Sequence, residues 1–438
     1  MMAHIGGYID GVGDFLWLYI GVPIIVIFGL YFSIKSRFVQ LRRLPKVFGV
    51  VWHMLWADHN EALGVHPMKA FFASVGGCVG IGNIVVVCTA IQIGGPGALL
   101  WLWLTALVGV LLKFAEVYLG VKFRVTNARG TYSGGPAYYL QRAFTNHWLP
   151  KLVCLFLCIY GVEILQFNIV TTSLTENFGW NHLTVIFLLL ALVLWVGSGG
   201  VRRVGEFCSA IIPLFTLCFV GMGFWVLLGN IAHVPEVLGL VVKSAFTGHA
   251  AVGGFAGSSM LVAMSQGVRW GCYSGDIGIG YAAVIHSETS NKCPEKQATL
   301  IIFEIILDTL IICTTSILLT LITGVWQEPI HESMLVQTAL AQYFPYMNIF
   351  MPMFLLLLGF STIISYFCFG VKASEFLSPK YGRLLYHLYA VATLVLFSFV
   401  ETSYALAVMS ITGALLLIIN VTGIFKLRKE LSLEINGV

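Results

Sequence analysis

A stretch of eight residues, GGCVGIGN at 76–83, interrupts a hydrophobic segment that runs over residues 69–91. Each glycine inside a helix costs about 1 kcal/mol relative to alanine, and it frees the backbone to unwind. Unwound backbone is stable at membrane depth only where it lines a cavity or is buried in protein. The alternative is close packing of two helices through small residues. The stretch therefore predicts either a broken membrane helix or a tight helix contact.

The whole chain has the composition of a membrane protein. Of its 438 residues, 58% are apolar and 10% are charged, whereas a soluble globular domain carries about 25% charged residues. The formal net charge is only +4, and the basic residues are scattered, which argues against nucleic-acid binding. The apolar runs are continuous, which favours helices over the alternating strands of a β-barrel. We predict an all-α polytopic membrane protein, with residues 1–438 forming a single membrane domain.

The hydrophobic segments give a count and an arrangement, since about 20 residues cross the hydrocarbon core. The sequence contains eleven of them, at roughly 15–34, 69–91, 98–123, 150–175, 183–198, 206–229, 252–287, 299–323, 348–370, 382–400 and 404–427. The seventh carries eight glycines and follows the second by five spans, which is the spacing of a five-helix repeat that begins with a broken helix. We therefore expect an extra N-terminal helix at 15–34, then two inverted repeats at 69–229 and 252–427.

Basic residues predict the orientation of the chain in the membrane. Twenty of the 24 lysines and arginines fall in or beside the odd-numbered connections, and Lys243 alone falls in a loop of the opposite parity. Short cytoplasmic loops carry the excess of lysine and arginine. We expect a multi-pass protein of the cell (inner or plasma) membrane, with its N-terminus outside and its C-terminus in the cytoplasm.

The glycine-rich break at 76–83 also offers a specific chemistry. The first half-helix ends there, so its last carbonyl groups suit a small cation, and the second half-helix begins there, so its free N–H groups suit a carboxylate. The Asn83 side chain can donate to one ligand and accept from the other. This combination predicts a zwitterionic substrate that binds together with Na⁺.

Seven short motifs occur in an order that resembles a known family. They are GIGNI at 80–84, IGGPG at 93–97, KFAE at 113–116, LQFN at 165–168, GGFAG at 253–257, DTLI at 308–311 and FSTI at 360–363. Together they resemble the alanine or glycine:cation symporters, also called amino acid carrier proteins. The resemblance implies the inverted five-plus-five fold of the sodium-coupled leucine transporters. It also implies import of small neutral amino acids (alanine or glycine, with D-alanine as a further candidate) with Na⁺ as the coupling ion and no covalent cofactor.

The resemblance also implies two sets of site residues. The Na⁺ ligands would be the carbonyls of Gly76, Val79 and Leu358 and the hydroxyls of Ser361 and Thr362. The substrate would lie among Gly80, Gly82, Asn83, Gln166, Phe167, Gly271, Ser274, Asp276 and Tyr366. The departures from the family pattern include Cys78, Ile81, Gly275, Asp276, Ser365 and Tyr366. These departures leave open which amino acid is preferred and whether Na⁺ or H⁺ is coupled.

The departures keep a second mechanism open, a proton-coupled amino-acid transporter of the same fold in which Glu163 or Asp276 carries the proton. Glu163 could instead pair with Arg269. An intramembrane enzyme is a weaker alternative, because such enzymes need a nucleophile with its base or a metal cluster, and the sequence contains neither HExxH nor GxSxG.

Other charged residues have structural interpretations at this stage. Lys113 and Glu116 are spaced i,i+3, which predicts an ion pair on one helix. Glu304 would be hydrated near the cytoplasmic end of its span, one turn before Asp308. His286 borders a loop, where we expect it to be solvated.

One stretch of the first connection has a different pattern. Trp52 and Trp56 stand among apolar neighbours, which predicts an amphipathic helix on the inner leaflet. The nearby Arg42, Arg43 and Lys46 favour anionic lipid.

Overall fold

The computed structural model describes residues 11–13, 15–57, 64–127, 130–247, 260–330, 334–400 and 403–435. Its α-helices, numbered in chain order, are α1 Val22–Lys35, α2 Val39–Arg42, α3 Leu44–Trp56, α4 Pro67–Cys78, α5 Val86–Gly94, α6 Ala98–Lys122, α7 Pro136–Ala143, α8 Trp148–Tyr160, α9 Ile164–Phe178, α10 His182–Gly197, α11 Gly200–Gly229, α12 Val234–Thr247, α13 Met260–Ser274, α14 Tyr281–Ser287, α15 Pro294–Ile305, α16 Thr314–Ile322, α17 Leu335–Ala341, α18 Met347–Leu377, α19 Gly382–Phe397 and α20 Ser403–Lys426. Two strands, β1 Val125–Thr126 and β2 Tyr132–Ser133, pair antiparallel.

Short stretches of other helix types complete the described elements. They are π-helices at Leu16–Gly21 and Ile306–Cys313 and 3-10 helices at Ile81–Asn83 and Val325–Gln327. Several helices, among them α3, α4, α7 and α15, begin with proline in the first turn. The missing N–H of proline has no intrahelical partner to lose there.

The helices agree with the predicted membrane segments. Each predicted segment overlaps a helix or an interrupted series of helices. Among the described residues, seven helical stretches are long and apolar enough to cross a membrane, and α4 with the stretch Ile81–Gly94 makes an eighth, bent by 57°. The helices α10 and α19 are apolar but shorter. The all-α polytopic fold is thus confirmed, while the count of eleven spans and the inverted repeats remain predictions.

The predicted break in the second segment is present. Helix α4 ends at Cys78, and Val79 and Gly80 are extended before the 3-10 turn that leads into α5. The packing interpretation also holds, because a Cβ on Gly76 would collide with Cys208 Sγ of α11 and one on Gly77 with the Tyr281 hydroxyl of α14. The glycines therefore serve both the break and a close helix contact.

The seventh segment is broken as well. Helix α13 ends at Ser274 and α14 begins at Tyr281. Between them Asp276, Gly278 and Gly280 have positive φ angles of 47°, 85° and 95°. Only glycine adopts this backbone without a steric penalty, so Asp276 is held in place by its surroundings. The GGFAG motif at 253–257 lies outside the described residues.

Two further irregularities were not predicted. The chain leaves helical geometry at 161–163, between α8 and α9, and the eighth segment contains the π-helix Ile306–Cys313. A π-helix inside a longer helix often marks a functional site. Helix α18 packs on α4, α8 and α9, and α6 packs on α13, α14 and α15, so these interruptions meet in the interior.

Candidate functional site

The first helix break presents two backbone N–H groups to buried side chains. Gly80 N–H donates to Asn83 Oδ1 at 2.9 Å, and Ile81 N–H donates to Gln166 Oε1 at 3.2 Å. A Cβ on Gly80 would lie only 2.5 Å from Thr362 Oγ1, so no larger residue fits there. In this structure, the side-chain amide oxygens of Asn83 and Gln166 therefore accept hydrogen bonds from N–H groups of the break that was predicted to hold a carboxylate.

Asp308 joins the first break to the second. Its carboxylate accepts hydrogen bonds from Asn83 Nδ2 at 2.5 Å, Ser274 Oγ at 3.2 Å and Thr309 Oγ1 at 2.8 Å. Asp308 is completely buried and lies on the π-helix of the eighth segment. The carboxylate therefore lies between the 3-10 turn that follows α4 and the end of α13.

Four of the five predicted Na⁺ ligands lie together. Thr362 Oγ1 is 3.1 Å from the Gly76 carbonyl and 3.2 Å from the Leu358 carbonyl, and Ser361 Oγ is 2.8 Å from the Leu358 carbonyl. Two hydroxyls and two carbonyls are hard oxygen ligands of the kind that small cations prefer. Val79, the fifth predicted ligand, is fully buried at the end of α4.

Lys113 forms the other charged centre of the core. Its ammonium donates to Glu304 Oε1 at 2.7 Å, to the Gly275 carbonyl at 2.7 Å and to Cys78 Sγ at 3.0 Å. Both partners of the ion pair are completely buried. Lys113 therefore connects the end of α4 with the end of α13, and Glu304 provides the compensating charge.

Asp276 lies in the second break between these two centres. It accepts hydrogen bonds from the Tyr366 hydroxyl and from Cys78 Sγ, the latter at 3.3 Å. The Tyr366 ring stacks on Tyr281 with centroids 4.6 Å apart, and its centroid lies 5.9 Å from that of Tyr160. Tyr281 and Tyr160 thus flank the tyrosine that binds this carboxylate.

The remaining predicted site residues are less central. Phe167 is fully buried on α9, and Gly82 has Tyr273 as the nearest neighbour of its absent Cβ. Gly271 faces Thr105 of α6, so close helix packing accounts for its small size. Glu163 precedes α9 at the unpredicted break and is buried, and its Oε2 has no hydrogen-bond partner among the described residues.

Three expectations about charged residues are wrong. Lys113 pairs with Glu304 rather than Glu116, whose carboxylate accepts from Asn420 Nδ2 at 2.5 Å. Glu304 is completely buried rather than hydrated. His286 is also completely buried, with its Nε2 atom 3.6 Å from Glu304 Oε2 and its Nδ1 atom 2.7 Å from Gln297 Nε2. Burial explains the new partners of Lys113 and Glu304, because a charge without water needs a partner.

The sequence contained a signal for the two carboxylates that were left out of the predicted site. Glu304 and Asp308 are ionisable residues in the middle of an apolar segment, and such residues are functional candidates by default. Their spacing along the chain did not reveal their partners, since Asn83 and Lys113 lie 225 and 191 residues away from them.

Cavities lie on opposite sides of the second break. One of about 150 Å³ is lined by Tyr160, Arg269 and Tyr273, and Tyr160 contacts the ring of Tyr366. Others of about 390 and 280 Å³ lie beyond the end of α14, and both are lined by Glu288 and Lys372. The Lys372–Glu288 ion pair, at 2.5 Å, closes this end of the core.

Comparison with known proteins gives one consistent result. The model of the sodium:alanine symporter family matches residues 2–436. The chain is 29% identical to the probable sodium/glutamine symporter GlnT of Bacillus subtilis, covering 98% of this chain and 89% of GlnT. It is 26% identical to the sodium/alanine symporter AgcS of Methanococcus maripaludis, covering 87% and 85% of the two chains.

The fold is also similar to that of a solved transporter. The crystal structure of MhsT in complex with L-phenylalanine matches with a TM-score of 0.59 at 13% identity, covering 83% of this chain and 89% of that one. This likeness shows the fold alone, which is of the leucine-transporter type, while the helix count and the repeat arrangement stay predictions. The chain belongs to the sodium:alanine symporter family, and it is a multi-pass membrane transporter, not an enzyme, that moves an amino acid together with a cation.

Proposed function

We propose that the protein imports small neutral amino acids, alanine or glycine with D-alanine as a further candidate, by Na⁺ symport and alternating access. The observation that carries the proposal is the group of four oxygens from Gly76, Leu358, Ser361 and Thr362 beside the first helix break. It contains only hard ligands, which suits Na⁺. The names of the sodium/alanine and probable sodium/glutamine relatives support the same choice.

The geometry gives a physical basis for coupling. The Gly76 carbonyl belongs to the last turn of α4, and the N–H groups of Gly80 and Ile81 follow directly after it. A cation that draws Gly76 and Thr362 together therefore fixes the backbone that receives the substrate carboxylate. Each ligand then raises the affinity for the other, as symport requires.

The substrate carboxylate would replace Gln166 Oε1 at the Ile81 N–H. Its ammonium group would lie towards Asp276, a buried carboxylate whose partners Tyr366 and Cys78 are neutral hydrogen-bond donors. An α-amino acid has both charges on one carbon, so a carboxylate receptor and an ammonium receptor on facing breaks fit that class of substrate.

The balance of buried charge supports cation coupling. Five carboxyl groups are buried in the spans, those of Glu116, Glu163, Asp276, Glu304 and Asp308. Among the described residues, Lys113 is the only buried lysine or arginine. Uncompensated charge in a membrane interior costs several kcal/mol, so bound cations or protons must neutralise the excess.

Glu163 supports proton coupling as a second candidate. It lies at a helix break one turn before Gln166, and one of its carboxyl oxygens lacks a hydrogen-bond partner within the described part of the chain. A carboxyl group in this position can gain and lose a proton as its surroundings open and close.

Uptake into proteoliposomes separates the two candidates. We expect labelled alanine and glycine to accumulate under an inward Na⁺ gradient at equal pH on both sides, and not when choline replaces Na⁺. Accumulation in choline under an inward proton gradient would instead establish the proton mechanism, and Glu163→Gln and Asp276→Asn would then identify the carrier.

The size of the substrate site is a separate prediction. Phe167 and Tyr366 are both buried, and one methylene in an apolar pocket changes binding by only about 1–3 kcal/mol, so strong rejection of large substrates must be steric. We expect Phe167→Ala or Tyr366→Ala to let leucine compete for alanine uptake, with weaker binding of alanine.

Tyr366→Phe is the matched control for that prediction, since it keeps the ring on Tyr281 and removes only the hydrogen bond to Asp276. It should continue to reject leucine. Competition by leucine in the wild-type protein would replace the small-substrate proposal with a broader neutral amino-acid carrier.

The orientation yields a labelling prediction. Cysteines introduced at Lys243 should react with an impermeant maleimide added outside, and those at Lys292 or Arg383 should not, on a background without reactive cysteines. Lys243 is exposed at the end of α12, which makes it a good reporter. The opposite pattern would reverse the predicted topology.

A further inference from the structure

Helix α3 has three distinct faces, which a helix wholly inside a protein or wholly in water does not have. Val47, Val50, Val51 and Met54, at spacings of three and four, are buried against the protein. Phe48, Trp52, Leu55 and Trp56 share a second face and are exposed, the two tryptophans by 66% and 74%. Lys46, Gly49 and His53 form an exposed third face beside the second.

Such a helix fits the boundary between the hydrocarbon and the headgroups. Its buried face contacts α15, its exposed apolar face requires a nonpolar solvent, and its polar face requires water or headgroups. Tryptophan is enriched at this depth, because its ring is apolar and its N–H is polar. One side of α3 therefore belongs to the lipid and the adjoining side to the membrane surface.

The charge of the neighbouring residues indicates which lipid. The stretch 35–56 contains the five basic residues Lys35, Arg37, Arg42, Arg43 and Lys46 and no acidic residue. Arg42, Arg43 and Lys46 are exposed, and no carboxylate within the described part of the chain forms an ion pair with them. Anionic headgroups are the complementary partner, and each nearby lysine or arginine strengthens such binding about fivefold.

The chain fixes this group in place at the end of α1. Arg37 and Phe38 adopt left-handed backbone, with φ angles of 55° and 52°, which turns the chain between α1 and α2. Gln40 is buried beyond the turn and donates to Ser33 Oγ at 3.0 Å and to the Leu107 carbonyl at 3.2 Å. The direction of α2 and α3 is therefore set by the fold.

The surface is also connected to the transport core. The ring centroid of Phe48 lies 5.7 Å from that of Phe303 on α15. The Phe303 centroid in turn lies 5.9 Å from that of Phe71 on α4. Helix α4 carries Gly76 and the first break. These contacts connect α3 to the helix that carries the proposed Na⁺ ligand Gly76.

We propose that the α2–α3 surface, formed by Arg42, Arg43, Lys46, Phe48, Trp52, Leu55 and Trp56, binds anionic phospholipid at the membrane interface and thereby controls the rate of transport. The part on transport rate rests on the proposed symport function, whereas the lipid-binding part does not. The partner is a phospholipid of the bilayer that carries a net negative headgroup, such as phosphatidylglycerol.

Binding is tested on the purified full chain with spin-labelled phosphatidylglycerol in a phosphatidylcholine bilayer. We expect a severalfold preference of the protein for the anionic lipid, which Arg42→Gln/Arg43→Gln/Lys46→Gln abolishes. The control Lys151→Gln/Lys380→Gln/Lys429→Gln removes the same charge from exposed residues elsewhere and should retain the preference. Equal preference in both triple variants would overturn the proposal.

The depth of the helix is tested with spin labels at Trp52→Cys and His53→Cys, two adjacent residues on different faces. We expect the first to be relaxed by oxygen dissolved in the bilayer and the second by an aqueous nickel complex. Relaxation of both labels by nickel alone would show that the surface faces water and would contradict the proposal.

Transport gives the last measurement. Alanine uptake should be several times faster in vesicles containing phosphatidylglycerol than in phosphatidylcholine alone, and this difference should disappear in the Arg42, Arg43 and Lys46 variant. Equal rates in both vesicles, with lipid preference intact, would refute control of transport. Absence of Na⁺-driven uptake in every vesicle would count against the symport proposal and leave the lipid-binding result standing.

Discussion

Ser361→Ala/Thr362→Ala is expected to abolish the stimulation of alanine uptake by Na⁺ at ordinary Na⁺ concentrations. The two hydroxyls are half of the four oxygens that meet beside the first break. A hydrogen bond or ligand contact to a charged partner contributes about 1.5–3 kcal/mol, so losing both should weaken Na⁺ binding by more than about tenfold. The measurement is the Na⁺ dependence of uptake in proteoliposomes.

Thr362→Ser is the control, because it keeps the hydroxyl that faces the Gly76 and Leu358 carbonyls. It should retain Na⁺-stimulated uptake, and the double alanine variant should still purify as a folded protein because both side chains are small. Unchanged Na⁺ dependence in the double variant would show that the cation binds elsewhere.

Lys113→Met should cause the largest loss of stability of any single substitution considered. Among the described residues, Glu304 has Lys113 and His286 as its ion-pair partners, so the substitution leaves a buried carboxylate without its lysine, which costs about 3–5 kcal/mol. It also removes the donor that links Cys78 to the Gly275 carbonyl. We expect a clear fall in the thermal unfolding midpoint in detergent, together with loss of uptake.

The double variant Lys113→Met/Glu304→Met separates charge from function. Replacing both partners by apolar residues of similar volume is often neutral for stability, so the unfolding midpoint should recover. Uptake should stay low, because no ammonium then connects the ends of α4 and α13. Wild-type stability in the single variant would contradict the buried ion pair, and wild-type uptake in the double variant would contradict its role in transport.

The helix breaks were predictable because their cause is local. Glycines at 76–83 and at 275–280 remove side chains where the backbone must turn, and the structure interrupts the helices at both places. The break at 161–163 contains a single glycine, and the π-helix around Asp308 contains none, so composition gave no warning of either. Their conformations depend on tertiary contacts.

Ionic partners were predicted less well, because pairing is decided by segments far apart in the chain. Helical spacing placed Glu116 beside Lys113, yet the ammonium reaches Glu304 on another helix. In the same way, His286 borders a predicted loop and was expected to be solvated, but it is buried because α14 packs against α6 and α18. By contrast, Thr362 and Gly76 were placed together through family resemblance, and their side-chain and backbone oxygens are in contact.

The most direct test of the central claim is the influx of radioactive sodium into proteoliposomes at equal internal and external pH. External alanine should accelerate sodium influx in the wild-type protein, and it should have no effect in Ser361→Ala/Thr362→Ala. Alanine that enters the vesicles without accelerating sodium influx would contradict sodium symport.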